Sequence, residues 1–356
     1  MKNSSVKILK HLPKIIIIIL SLLCLLLFPK EIGEGVKKGL YLSGESVIPA
    51  LFPFMILSAY ISSSPYALYF SRKTEKLARK LFNISGAGLT AVLLGILGGY
   101  PIGAKTAEEF YLRKMLSKAD THRTLSWCVN PSPAFVITAV GSFMLQNTKS
   151  GIIMYISVLL SSFTIGLFSR FTGDKTEAES LYKTETVIDR KDIFIISVAS
   201  ASKSMLLICA WVLFFSAVCT GMNALTDNKS LTLFIKALAE VTTGCESAVN
   251  SNISLPLICA LLGFGGFAVI FQISPYLQNC GYDLKLFICW RAISGALSAF
   301  FCSALLKIFP QAQTVSQTIL AGRTEITLSH SIGASIILLL TCIVFILEVD
   351  NKQKVC

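Results

Sequence analysis

The sequence predicts an all-α polytopic membrane protein, with about eight transmembrane helices and two re-entrant hairpins arranged as an inverted-topology repeat. Three observations carry this expectation. Of 356 residues, 53% are hydrophobic and only 15% are charged, against about 25% charged in an ordinary soluble domain; mean hydropathy is +0.68. Apolar runs alternate with short basic loops, so the formal charge of +12 reads as a topology signal. No basic face alternates with stacking aromatics, which argues against nucleic acid as a partner. Finally, glycine and proline break the apolar runs at corresponding places in the two halves.

The first run, Ile15 to Phe28, follows Lys2, Lys7, Lys10 and Lys14. No small-x-small cleavage site precedes Pro29, so it is expected to be an uncleaved span with a cytoplasmic N-terminus. The second run, Val47 to Ser63, ends in Arg72, Lys73, Lys76, Arg79 and Lys80, which marks that loop as cytoplasmic. Gly86 to Gly99 comes next, followed by Lys105, Arg113, Lys114, Lys118 and Arg123. A crossing here would put the second basic cluster on the wrong side. Fourteen helical residues also cover only about 21 Å of a hydrocarbon core about 30 Å thick. The segment is therefore expected to enter from the cytoplasm, turn at Gly99-Tyr100-Pro101-Ile102-Gly103, and return. Glycine permits unusual dihedrals and proline cannot continue the first limb.

Trp127 to Leu145 reads as a crossing helix unwound at Asn130-Pro131-Ser132-Pro133 and emerging at Gln146-Asn147. Gly151 to Phe168 returns to a charged loop, Arg170 to Asp192. In the second half, Met205 to Met222 is a span preceded by a serine-rich segment, Ser197 to Ser204. The short limb Leu231 to Val241 then reaches Thr242-Thr243-Gly244-Cys245-Glu246-Ser247-Ala248, in the place of a second hairpin tip. Leu255 to Ile273 is interrupted by Gly263-Phe264-Gly265-Gly266. Phe287 to Leu306 and Ser331 to Leu347 complete the spans. Three crossings and a hairpin per copy invert the second copy relative to the first, a common design of secondary transporters. The expected units are 1–33 (tail and first span), 34–169 (first repeat), 170–192 (cytoplasmic linker), 193–308 (second repeat) and 309–356 (loop, last span and cytoplasmic tail).

Catalysis finds little support. The only histidines, His11, His122 and His330, lie near span ends, and the eleven cysteines lie mostly within apolar runs without CxxC or Cys/His spacing. No catalytic residue, metal ligand or cofactor is expected. The broken segments are the chemically interesting feature. Each leaves backbone N–H and C=O groups without intrahelical partners at membrane depth, and helix N-termini suit anions while C-termini suit cations. The expected transport site therefore comprises Gly99, Pro101, Gly103, Asn130, Pro131, Ser132, Pro133, Gly244, Ser247 and Gln272, with Lys105, Glu246 and Arg291 as nearby charges. Arg291, in "FICWRAISGAL", is the boldest: within an apolar span a charge must snorkel, pair or meet a solute. The implied partners are the bilayer and a small polar or anionic solute. A coupling proton or sodium ion and a homo-oligomer are both compatible with this reading.

The stretches "VIPALFPFMILS" (Val47 to Ser58), "GGYPIGAK" (Gly98 to Lys105) and "NPSPAFVI" (Asn130 to Ile137), with "TGCES" and "GFGGFAVIFQ" in the second half, resemble the YlbJ-type sporulation integral membrane proteins. These contain the nucleoside-recognition or Gate domain, shared with concentrative nucleoside transporters and spore maturation proteins. The resemblance runs from about Glu34 to Leu306. It implies a role in endospore formation: transport of dipicolinate, a small aromatic dianion, from the mother cell across the outer forespore membrane. The domain name points instead to nucleosides, and a structural or assembly role is the further alternative.

Overall fold

The computed structural model describes residues 26–171, 192–223 and 229–310. The expected last span and nearly all of the first, most of the Arg170–Asp192 loop, His11 and His330 lie outside the described residues. All regular elements among the described residues are helical.

Helix α1 (Pro29–Leu42) runs through a π-wound turn, Ser43–Val47, into α2 (Ile48–Ser63). Pro49 brings no N–H to this continuous helix, and the turn just before it is π-wound. The chain bends by 73° at Ser64 into α3 (Pro65–Phe82), which ends on the left-handed Asn83.

The first hairpin pairs α4 (Gly86–Gly98) with α5 (Tyr100–Leu112). Ser85 caps α4 through Gly88 N at 3.4 Å. The turn is Gly99 alone, at φ 95°, and the helix restarts at Tyr100 with Pro101 in its first turn. The expected five-residue tip thus contracts to one residue, because proline is well tolerated in a first turn. The limbs are antiparallel and very close: a Cβ on Gly95 would lie 2.8 Å from Gly103 Cα. Residues flanking the hairpin return to a common end. Arg79 Nη1 bonds Asp120 Oδ1 at 3.2 Å, and Arg123 Nη1 donates to the Asn83 carbonyl at 3.3 Å. These contacts hold the residues before and after the hairpin together at one end of it.

After α6 (Lys118–Leu125) the chain is unwound through residues 126–132. It then resumes as α7 (Ala134–Met144), wound as a π-helix. The break falls where Asn130 to Pro133 predict it. The π-helix has eleven residues, so the helix is shorter than the crossing the sequence suggested. Helix α8 (Thr148–Ser169), capped by Asn147 on Ser150 N at 3.2 Å, precedes α9 (Ile193–Asn223), which absorbs the serine-rich segment and the following span into one helix. The second hairpin pairs α10 (Lys229–Ala239) with α11 (Val241–Asn250). Its turn is Glu240, two residues before the expected tip at Thr242 to Ala248, which instead form α11. Helices α12 (Leu255–Phe264) and α13 (Gly266–Asn279) meet at the left-handed Gly265, at φ 86°, and α14 (Leu284–Ile308) follows.

Hairpin, broken helix and unbroken helix thus recur in the same order in both halves. Among the described residues four helical segments are long and apolar enough to cross a membrane: Thr148–Ser169, Ile193–Gly221, Leu255–Asn279 and Leu284–Ile308. The bent pair Leu51–Ser63 and Pro65–Phe82 would make a fifth. Met154, Val158, Ile258, Leu262, Ile270, Ile273 and Phe287 are buried in the core, while Ile152, Ile156, Phe168, Leu206, Phe214 and Phe300 face outward, as lipid-facing helices require.

Candidate functional site

Each hairpin tip abuts the break in the helix that follows it. Gly99 sits against the unwound segment: a Cβ there would lie 3.6 Å from Ser132 N. The second tip sits against the other break, since a Cβ on Gly266 would lie 3.2 Å from Val241 N and 3.3 Å from Glu240 Cα. Between the tips is a partly open cavity of about 40 Å³, room for a few waters as it stands, so a solute could enter only after the tips move apart. Gly98, Gly99, Tyr100 and Pro101 line it from the first hairpin, Ser132 and Phe135 from the first broken helix. Glu240, Val241 and Thr242 line it from the second hairpin, and Val269 and Gln272 from α13. Val47, Leu51 and the α9 residues Ile208, Trp211 and Val212 close the wall.

Its polar groups are few. Glu240 is 3% exposed, and its carboxylate accepts the N–H groups of Thr242 at 2.8 Å and Thr243 at 2.7 Å. This caps α11 and places negative charge at the positive end of the helix dipole. Ser132 Oγ accepts from Phe135 N at 3.2 Å and so caps the start of α7. Gln272 is 6% exposed, and its amide Nε2 and the indole Nε1 of Trp211 are buried without a hydrogen-bond partner. Two idle donors in an apolar wall are expensive to leave unpaired. Both atoms are closed off from the cavity as it stands, so a solute could meet them only after the wall rearranges.

Arg291 lies behind the cavity and is 2% exposed. Its Nε donates to the Phe264 carbonyl at 3.0 Å, Nη2 to the Gly263 carbonyl and Nη1 to the Val129 carbonyl. Gly263 and Phe264 end α12 and Val129 belongs to the unwound segment, so one guanidinium satisfies carbonyls freed by both breaks. Its charge also suits the negative end of the α12 dipole. Tyr100 completes the tie: its ring centroid lies 5.8 Å from the guanidinium carbon, and its hydroxyl donates to the Leu262 carbonyl at 2.8 Å.

The structure brings Gly99, Pro101, Ser132 and Gln272 together around the cavity, with Arg291 one layer behind. Gly103 packs against backbone: a Cβ on it would lie 2.0 Å from the Cys128 carbonyl oxygen, and one on Gly95 2.2 Å from the same atom. Asn130 is buried and donates to the Trp127 carbonyl at 2.9 Å, holding the unwound turn beside Pro131 and Pro133. Gly244 packs against Ala237 within the second hairpin. Ser247 lies on the far turn of α11, and Glu246 pairs with Lys38 of α1 at 3.0 Å, away from the cavity lining. Lys105 bonds Ser200 Oγ in a separate small cleft with Ser62, Thr106 and Glu109. Sequence reading missed Glu240, Tyr100 and Trp211. The signal for Glu240 was available, as a lone acid closing an apolar limb; Trp211 was masked by the apolar run around it.

No family model matches this chain, and no solved structure matches it. The chain is similar to the sporulation integral membrane protein YlbJ of Bacillus subtilis (strain 168), at 24% identity over 78% of each chain. That similarity, spread over most of both chains, supports the assignment of this protein to the YlbJ-type sporulation integral membrane proteins.

Proposed function

We propose that this protein is a multi-pass transporter that carries a small polar solute between its two hairpin tips, and that the solute is dipicolinate leaving the mother cell through the outer forespore membrane. The observation that carries the transport reading is the convergence of both tips and both broken helices on one cavity with unpaired buried donors, Gln272 Nε2 and Trp211 Nε1. Paired hairpins of an inverted repeat could open alternately to either side around such a site. Dipicolinate is supported by the sporulation relative and by acceptor atoms that suit those donors.

Glu240 favours a second reading, in which the solute is a neutral nucleoside or similar metabolite whose hydroxyl groups donate to the carboxylate. A dianion passing an ionised Glu240 would be repelled in a low-dielectric cavity, so its passage calls for Glu240 to be protonated or offset by a co-transported cation.

Uptake into liposomes, measured with labelled dipicolinate and with labelled nucleosides under imposed proton or sodium gradients, separates these readings. Gln272→Leu should lower uptake of the true solute about ten-fold, as loss of one buried hydrogen bond worth about 1.4 kcal/mol implies. Glu240→Gln should preserve or raise dipicolinate uptake but depress nucleoside uptake. Absence of flux for every solute, with normal protein levels, would leave an assembly role.

A further inference from the structure

Helix α3 plays no part in the cavity, yet its surface is sharply divided. At about 100° per residue, Ala67, Ser71, Ala78 and Phe82 share one stripe and are buried against the protein. Tyr66, Phe70, Leu77 and Leu81 share a second stripe and are exposed, Tyr66 at 62% and Leu77 at 54%. Arg72, Lys73, Lys76 and Lys80 share a third, and all are exposed. The single acid of the helix, Glu75, is turned inward, bonding Arg79 Nε at 2.9 Å and Gly86 N at 2.5 Å. An exposed apolar stripe beside an exposed basic one, with no exposed acid, matches a helix lying in the plane of a bilayer interface. The bend of 73° from α2 turns α3 toward that plane if α2 crosses the membrane. Its depth is fixed by Ser71 Oγ to Thr90 Oγ1 at 2.8 Å and by Arg79 to Asp120.

We propose that α3 is an interfacial helix that docks anionic phospholipids, its apolar stripe in the acyl boundary and Lys73, Lys76 and Lys80 on the headgroups. Charge complementarity chooses this partner: three ammonium groups along one stripe attract phosphate-bearing anionic headgroups more strongly than zwitterionic ones, while their stems can snorkel from the apolar boundary. The inward face of α3 packs on the first hairpin through Glu75 and Ser71, which leaves the outer stripes free for the lipid.

The test uses the full chain in nanodiscs containing phosphatidylcholine and phosphatidylglycerol, one or the other brominated. Leu77→Trp places a fluorophore on the apolar stripe, read as the difference from the parent protein. Brominated phosphatidylglycerol should quench this added signal about two-fold more than brominated phosphatidylcholine at equal mole fraction. Rising salt should erase that preference. The triple change Lys73→Gln, Lys76→Gln and Lys80→Gln should also erase it, whereas Lys30→Gln, Lys37→Gln and Lys149→Gln together should not. Equal quenching by the two lipids, or no quenching by either, overturns the proposal. If the triple variant does not fold, the salt series on Leu77→Trp decides alone: a salt-independent preference equally overturns it.

Discussion

Arg291 shows how one side chain can make two broken helices tolerable. The carbonyls of Val129, Gly263 and Phe264 would each be stranded in a dry interior, and a planar guanidinium reaches all three. An ammonium is a point donor and cannot span both sides of that fork. Arg291→Lys is therefore expected to destabilise the purified protein by about 2–4 kcal/mol and Arg291→Gln by more, since each stranded carbonyl costs about 1–3 kcal/mol. Thermal unfolding in detergent, followed by exposure of the buried cysteines, checks this; unchanged midpoints for both variants would remove the tie. Transport should fall in parallel with stability. A loss of uptake at wild-type stability would instead place the guanidinium on the solute. Arg291 stood out in the sequence as a lone charge in an apolar span, but its partners are carbonyls 27 to 162 residues away, which no local pattern records.

At the scale of elements, the glycines of the first hairpin serve two separate ends. Gly99 turns the chain at φ 95° and ψ −177°, where a Cβ would have room but a backbone region that essentially only glycine adopts would cost another residue about 1–3 kcal/mol. Gly95 and Gly103 instead admit the Cys128 carbonyl between the limbs, and a side chain there meets backbone that cannot yield. Gly103→Leu is accordingly expected to lower the amount of folded membrane protein severalfold, whereas Gly99→Ala should leave expression near normal. Pro101→Ala should be milder still, because a first-turn proline can be replaced with little change in hydrogen bonding. Quantitative immunoblotting and monodispersity in detergent rank the three; equal behaviour of Gly103→Leu and Gly99→Ala would contradict the packing argument. The second hairpin repeats the design with a different device. Glu240 supplies at the tip, through its carboxylate, the caps that α11 needs, a role more usual for Ser, Thr, Asp or Asn.

For the whole molecule, the deciding question is which side each basic segment faces. The Arg79–Asp120 contact and the Arg123–Asn83 contact tie the segments before and after the first hairpin together. Single cysteines near Arg79 and near Arg113, introduced in a cysteine-free background, should therefore react with a membrane-impermeant reagent from the same side, the cytoplasmic one by the positive-inside rule. Labelling from opposite sides would mean that Gly86 to Leu112 crosses the bilayer. The sequence alone determined the membrane class, the broken runs and their approximate positions, because hydropathy, glycine, proline and charge act over a few residues and leave a local record. It placed the unwound segment at Asn130 to Pro133 and the break at Gly265 correctly for that reason. Only the tertiary structure decided that Glu240 rather than Thr242 forms the second tip, that Glu246 turns to Lys38, and that Arg291 joins both breaks behind a shared cavity. Those outcomes depend on which unsatisfied backbone groups meet which distant side chains, and in a low-dielectric interior every such group must find a partner, however far along the chain it lies.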